Sequence, residues 1–171
     1  METMKITGGR KLYGDVSVCS AKNAVLPIVA CCLLCDGEVV LHNCAPLGDV
    51  LDMLKIVSAY GVKSRLEGSN VILDSRSVKK SEADCTVSGR IRSSVFILGS
   101  LLGRLGEACV SYPGGCDIGL RPIDLHIYGL GKLGVKVTEA DGKIVCDGKG
   151  LRGGEIVFDF PSVGATENAI M

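Results

Sequence analysis

The stretch between Pro113 and His126 combines a thiol, a guanidinium and a glycine-rich backbone in one short segment. Its glycines allow backbone conformations and close ligand approaches that other residues resist. A thiol with an ordinary pKa of about 8.5 is mostly protonated at neutral pH, so Cys116 can serve as a general acid or, once deprotonated, as a nucleophile. Arg121 is the nearest cation in the sequence. The segment predicts a catalytic loop that opens a helix, and the alternative is a turn with an incidental cysteine.

The composition predicts a soluble globular protein. Of 171 residues, 47% are hydrophobic and 22% are charged, which is enough to bury a sizeable core. Nineteen basic residues balance nineteen acidic ones, and tryptophan is absent. We therefore expect no nucleic-acid partner, because neither a basic surface nor stacking aromatic residues are available.

The first residues lack the apolar core of a signal peptide, and the longest uncharged apolar run, residues 24–35, is too short to cross a bilayer. We therefore expect a cytoplasmic protein without a membrane partner. The nine cysteines then indicate reduced thiols rather than disulfides. Cys31, Cys32 and Cys35 contain a C-x-x-C spacing, but no second ligand pair or histidine stands near it. Small buried side chains are the better interpretation, and we expect no metal and no cofactor.

Residues 37–42 and 106–111 begin two similar units. Each segment predicts a strand, which is followed by an amphipathic helix and two further strands. The predicted strands are 62–66 and 71–73 in the first unit, and 135–138 and 144–145 in the second. An apolar helix precedes each unit, at residues 22–34 and 91–104. The result is a β-α-β-α-β-β module that repeats after roughly 70 residues.

A third unit is expected to begin near the end of the chain. Residues 12–18 are echoed by residues 151–157, and the segment from Ser162 stands where residues 20–24 begin the first unit. The chain stops at Met171, within about two turns of the helix that should follow. We expect a fragment with an exposed apolar face, because a stacked repeat needs its neighbour.

Several separated motifs stand in an order that resembles one known family. They are the opening G-x-x-x-L-x-G-x-V with Ser20-Ala21-Lys22-Asn23-Ala24, Arg92-Ser93-Ser94, Pro113-Gly114-Gly115-Cys116, Arg121-Pro122-Ile123-Asp124-Leu125-His126 and Ser162-Val163-Gly164-Ala165-Thr166. On these motifs the whole chain is similar to the UDP-N-acetylglucosamine enolpyruvyl transferases of bacterial cell-wall synthesis. The resemblance implies transfer of the enolpyruvyl group of phosphoenolpyruvate to the 3-hydroxyl of UDP-N-acetylglucosamine, with phosphate release. It also implies the first committed step of peptidoglycan synthesis and a target of fosfomycin.

The resemblance also implies which residues act. Cys116 resembles the family's lid cysteine, which gives a proton to phosphoenolpyruvate. Lys22, Asn23 and Arg121 resemble its phosphoenolpyruvate contacts, and a lysine at a helix start suits an anion. The implied contacts with UDP-N-acetylglucosamine are Arg92, Arg121, Pro122, Ile123, Asp124, Leu125, Ser162, Val163 and Gly164.

Alternatives remain for some of these residues. Lys22 alone would be an ordinary solvated lysine, and Arg90 competes with Arg92, which we prefer because two serines follow it. Asp124 is equally suited to the first turn of a helix. His126 fits an exposed or capped helix position as well as a catalytic one, so we assign it no catalytic role.

Family members are about two and a half times as long as this chain. The resemblance implies two α/β (α+β) domains of three units each, with the active site between them. Residues 1–20 would contain a strand of the second domain, and residues 21–171 would form an incomplete first domain. Its units would be residues 21–88, residues 89–161 and a truncated third from 162.

The missing C-terminal domain would supply a base and a further arginine, so we expect this chain alone to be inactive. The alternatives are a non-catalytic module that binds a UDP-sugar and an assembly module. The sister shikimate enolpyruvyl transferases share the architecture, but the motifs around Cys116 and His126 favour the UDP-sugar branch.

Overall fold

The computed structural model describes residues 3–83, 88–113 and 122–171, apart from the side chain of Arg90. The helices are α1 (Lys22–Cys31), α2 (Gly48–Ala59), α3 (Phe96–Leu105), α4 (Asp124–Lys132) and α5 (Val163–Ile170). The strands are β1 (Glu38–Leu41), β2 (Lys63–Glu67), β3 (Asn70–Asp74), β4 (Glu107–Ser111), β5 (Lys136–Ala140) and β6 (Lys143–Asp147). Short 3₁₀ turns lie at Cys32–Leu34, Ser88–Arg90 and Arg92–Val95. The predicted α/β fold is therefore confirmed.

The two units have the same sheet topology. Strands β1, β3 and β2 form one antiparallel sheet in that order, and β4, β6 and β5 form the other. In each sheet a helix connects the two outer strands, and the last strand returns between them after a two-residue loop. Asp141 and Gly142 form the second loop with φ of 51° and 70°, as a type I′ hairpin turn requires. This shared plan confirms the predicted repeat of a strand, a helix and two further strands, while the unit bounds 21–88 and 89–161 stay a prediction.

Helix α3 lies at the centre of the core because its sequence is apolar on almost every side. Ile97, Leu98 and Leu101 are completely buried. Gly106 follows the helix with φ of 76°, the left-handed conformation that commonly ends a helix. Tyr60 connects the two units, since its hydroxyl donates a 2.8 Å hydrogen bond to the carbonyl oxygen of Cys109. The core therefore joins both units around α3.

The strand expected within residues 1–20 is not formed in the described part of that segment. Residues 3–20 contain no strand, and Leu12, Tyr13 and Val16 are each about nine-tenths exposed. Residues 151–157, their echo, contain none either. The physical reason is that an extended segment is stable only when it pairs with other strands and covers apolar surface, and neither described sheet includes this one.

Helix α5 begins the third unit, as the sequence predicted. It contacts α3 and α4, and the glycines of α3 let its backbone approach closely. A Cβ atom at Gly103 would lie 2.6 Å from the carbonyl oxygen of Met171. Phe160 and Ile170 remain 71% and 80% exposed. The start of the third unit is therefore docked on its inner side and exposed on its outer side.

Candidate functional site

Lys22 and Asn23 lie in the first turn of α1, where the sequence predicted an anion-binding helix start. Lys22 Nζ is 2.6 Å from Oδ2 of Asp49, which lies in the first turn of α2, and both side chains are more than 40% exposed. The start of a helix attracts anions through its free N–H groups and its dipole. An incoming phosphate or carboxylate would therefore compete with Asp49 for an accessible ammonium group.

Arg92 lies in the 3₁₀ turn before α3 and reaches the segment that leads into α4. Its Nη2 donates a 2.7 Å hydrogen bond to the carbonyl oxygen of Pro122. A guanidinium is planar and carries five N–H donors, so arginine is suited to hold two anionic oxygens at once. The preference for Arg92 over Arg90 stays a prediction, because the Arg90 side chain is outside the described residues.

Two side chains at the start of α4 are exposed to solvent, and a third is buried in the core. Ile123 is 2% exposed, and its carbonyl oxygen accepts the N–H of His126 at 2.9 Å. Pro122 and Asp124 are exposed, while Leu125 is half-buried. The Asp124 carboxylate favours the helix N-terminus electrostatically and is also accessible to a ligand, so both interpretations remain open.

The start of α5 is capped and lies against α4. Ser162 Oγ accepts a 3.2 Å hydrogen bond from the N–H of Ala165, which is the N-cap arrangement that serine favours. Val163 is 76% exposed. A Cβ atom at Gly164 would lie 3.3 Å from Cε1 of His126, so glycine permits the close contact between the two helices. Two of the predicted sugar-nucleotide segments are thereby neighbours.

His126 is only 5% exposed, so the expectation of an exposed or capped position was wrong. Its ring contacts the Phe96 ring edge to face at 6.2 Å, and its Nδ1 lies 3.2 Å from Nδ2 of Asn168. Burial, with a smaller contribution from the Arg92 charge, lowers the pKa of His126 to about 4. The imidazole is therefore neutral at neutral pH, and Nδ1 accepts the amide proton of Asn168. This buried network was not found from the sequence; the only signal was that His126 ends the motif that begins at Arg121, and that Asn168 follows the Ser162–Thr166 motif by two residues.

Cys116 and Arg121 lie outside the described residues. The described chain reaches Pro113, which is buried, and resumes at Pro122, which Arg92 contacts. Both predicted roles stay predictions. The two ends of the intervening segment lie at the end of β4 and at the start of α4.

Among the described residues, no group of three or more histidine, cysteine, aspartate or glutamate side chains could hold a metal ion. Burial, with smaller contributions from the nearby Cys35 and then Cys31, raises the pKa of Cys32 to about 12. Burial and then Cys35 also raise the pKa of Cys31. These thiols are therefore poor nucleophiles near neutral pH.

A cleft of about 690 Å³ lies along the second sheet. Its lining follows β4 and β6 from Glu107 and Asp147 at one end of the sheet to Lys143, which pairs with Ser111, at the other. Glu82 lies in this cleft, and its carboxylate accepts a 2.6 Å hydrogen bond from Lys143 Nζ. None of the candidate site residues described above lines this cleft.

The described residues include no helix long and apolar enough to cross a membrane.

The curated relatives of this chain carry the name of a single enzyme activity. UDP-N-acetylglucosamine 1-carboxyvinyltransferase 2 of Caldanaerobacter subterraneus subsp. tengcongensis is 48% identical over 171 residues, which are 100% of this chain and 41% of that protein. The UDP-N-acetylglucosamine 1-carboxyvinyltransferase of Campylobacter fetus subsp. fetus is 37% identical over 172 residues, again 100% of this chain and 41% of the relative. The chain thus spans about 41% of the length of these relatives.

Two solved structures have a similar fold. The enolpyruvyl transferase NikO from Streptomyces tendae matches with a TM-score of 0.69 and 24% identity, over 84% of this chain and 32% of that one. An EPSP synthase from Acinetobacter baumannii matches with a TM-score of 0.70 and 15% identity, over 91% of this chain and 37% of that one. The family model described as EPSP synthase (3-phosphoshikimate 1-carboxyvinyltransferase) matches residues 6–171. Because that match covers almost the whole sequence and the fold agrees with it, the chain belongs to the EPSP synthase family of enolpyruvyl transferases.

Proposed function

We propose that this chain supplies the UDP-sugar-binding half of a transferase that moves the enolpyruvyl group of phosphoenolpyruvate to the 3-hydroxyl of UDP-N-acetylglucosamine. The observation that carries the proposal is the convergence of three segments with accessible polar groups. Arg92 contacts Pro122 at the start of α4, and Gly164 at the start of α5 contacts His126 on α4. The names of the curated relatives favour UDP-N-acetylglucosamine over 3-phosphoshikimate as the acceptor.

In this proposal Cys116 gives its proton to the methylene carbon of phosphoenolpyruvate, which makes the neighbouring carbon electrophilic. The sugar 3-hydroxyl then attacks that carbon and loses its proton to a base. The resulting tetrahedral intermediate loses a methyl proton and inorganic phosphate, and the enolpyruvyl ether remains. Lys22, Asn23 and Arg121 hold the phosphoenolpyruvate anion through this sequence.

The remaining catalytic groups belong to a second domain of the relatives' kind. Without that domain, positioning and electrostatic stabilisation are incomplete, so this chain alone turns over negligibly. Within the proposal, the completed enzyme acts in the cytoplasm in peptidoglycan synthesis, and thereby in cell-wall biogenesis, cell shape and cell division. It would be a target of fosfomycin at Cys116.

Turnover by a fusion protein tests this proposal. The chain is joined to the part of the Caldanaerobacter relative that it does not match, and phosphate release is measured with phosphoenolpyruvate and either UDP-N-acetylglucosamine or 3-phosphoshikimate. We expect phosphate release with the UDP-sugar, and we expect mass spectrometry to locate a fosfomycin adduct on Cys116. Binding of the UDP-sugar without release would favour the non-catalytic module, and turnover of 3-phosphoshikimate instead would reject the proposed acceptor.

Replacing Lys22 by alanine is expected to weaken phosphoenolpyruvate binding to this fusion protein about tenfold or more. The reason is that a hydrogen bond to a charged group is worth about 1.5–3 kcal/mol. The matched control is Lys55→Ala, because Lys55 forms a similar ion pair at 2.8 Å with Asp52 on α2. Calorimetric titration measures both variants. An unchanged affinity for Lys22→Ala would place Lys22 outside the site.

A further inference from the structure

Asn168 makes a buried set of hydrogen bonds that the proposed reaction does not use directly. The residue is 1% exposed and lies on α5. Its Oδ1 accepts the backbone N–H of Gly99 at 2.8 Å, and its Nδ2 donates to the carbonyl oxygen of Val95 at 3.2 Å. The same Nδ2 lies 3.2 Å from Nδ1 of His126. One side-chain amide therefore contacts three other elements, which are the Arg92–Val95 turn, α3 and α4.

The two backbone groups that Asn168 contacts, the Gly99 N–H and the Val95 carbonyl oxygen, would bind each other in a continuous helix. Here the Asn168 amide binds both groups, where the Arg92–Val95 turn passes into α3. A side-chain amide can do this because it carries an acceptor oxygen and a donor nitrogen on the same carbon atom.

Besides α3, three segments that meet at Asn168 carry parts of the proposed sugar-nucleotide site. Val95 belongs to the turn that contains Arg92, and His126 belongs to the helix that begins at Asp124. Asn168 itself follows Ser162–Gly164 by about one turn of α5. The buried amide thus sets the spacing of three segments that contribute accessible groups to one place.

We infer that Asn168 is a positioning residue for UDP-sugar binding, which holds these three segments in register without touching the ligand itself. The inference rests on the proposed function. A buried polar group that is fully hydrogen-bonded specifies one arrangement of its neighbours, because every alternative leaves a donor or acceptor unpaired.

The test measures binding of UDP-N-acetylglucosamine to this chain by calorimetry, for wild type, Asn168→Asp and Asn168→Leu. Asn168→Asp retains the acceptor for Gly99 but removes the donor to Val95, while Asn168→Leu removes both. The control is Ile170→Ala on the exposed side of the same helix. We expect affinity to fall at least tenfold in both Asn168 variants and to stay unchanged in the control, under conditions in which circular dichroism shows each protein folded.

A second readout separates positioning from stability. Inorganic phosphate is titrated against the same proteins while the Lys22 ε-CH₂ resonance is observed. We expect the affinity for phosphate to be unchanged in the Asn168 variants, because Lys22 lies on α1 and forms its ion pair with Asp49 on α2. Equal losses for phosphate and the UDP-sugar, or full UDP-sugar binding by folded Asn168→Asp, would overturn the inference. Wild type that binds no UDP-sugar would instead reject the proposed function, and with it the inference.

A measurement on the unmodified chain covers the case in which both variants fail to fold. Hydrogen exchange of the Gly99 N–H is compared with and without UDP-N-acetylglucosamine. We expect the ligand to slow this exchange several-fold, because it binds only the docked arrangement of α5. Exchange at Gly99 that is unaffected by saturating ligand would contradict the role of Asn168.

Discussion

Replacing Gly99 by alanine is expected to lower the free energy of unfolding by about 1–5 kcal/mol. A Cβ atom there would lie 2.5 Å from Oδ1 of Asn168 and would also meet the Asn168 carbonyl oxygen. Forcing a methyl group into such a contact typically costs about 1–3 kcal/mol, and disturbing the buried amide adds about 1–3 kcal/mol. The higher helix propensity of alanine offsets at most about 1 kcal/mol of this loss. Urea unfolding followed by circular dichroism measures the net change.

The chain offers a matched control for this substitution in Gly131. It is also a helical glycine, but a Cβ atom there would meet nothing within 4 Å. Gly131→Ala is therefore expected to leave stability unchanged or to raise it by up to about 1 kcal/mol. If Gly99→Ala proved as stable as Gly131→Ala, α5 would not dock against α3 in the way described.

Lowering the pH from 6.5 to 5 is expected to reduce the free energy of unfolding by about 2 kcal/mol through His126. The folded pKa of this residue is lowered from 6.5 to about 4. Below pH 6.5 the unfolded chain therefore binds a proton that the folded chain does not bind. The free energy of unfolding then falls by about 1.4 kcal/mol per pH unit. This loss continues until the pH reaches the folded pKa.

Histidine variants isolate this contribution. Asp74 has its pKa lowered to about 2 by its hydrogen bonds with Arg76, so its stabilising effect is lost only below about pH 4, outside the window. His126→Asn is expected to remove the slope between pH 7 and 5, whereas His42→Gln should keep the slope because that variant retains His126. A slope that survives in His126→Asn would show that another group carries the pH dependence.

Sequence patterns predicted most of the described helices and strands because their signals are local. The stripe of apolar residues in α2 and the Asp141-Gly142 turn each need only a few neighbouring residues. The predicted starts of α1, α4 and α5 followed from the same kind of signal. The sites assigned at those starts came from the resemblance, and their roles stay predictions.

Sequence patterns were least informative where structure depends on distant residues. His126 looked exposed because its position near a helix start is polar by default, yet its partner Asn168 lies 42 residues further on. The strand near Leu12 belongs, by the resemblance, to a second domain, and neither described sheet supplies a partner strand for it. Periodicity along the chain carries no information about either partner.

Equilibrium binding of UDP-N-acetylglucosamine to this chain, compared with 3-phosphoshikimate and with an Arg92→Ala variant, tests the proposed sugar-nucleotide site most directly. We expect saturable binding of the UDP-sugar, much weaker binding of 3-phosphoshikimate, and at least a tenfold loss of UDP-sugar affinity in Arg92→Ala. Arginine that holds an anionic oxygen contributes about 1.5–3 kcal/mol, which corresponds to that loss. Preference for 3-phosphoshikimate, or UDP-sugar binding that is indifferent to Arg92, would contradict the proposed site.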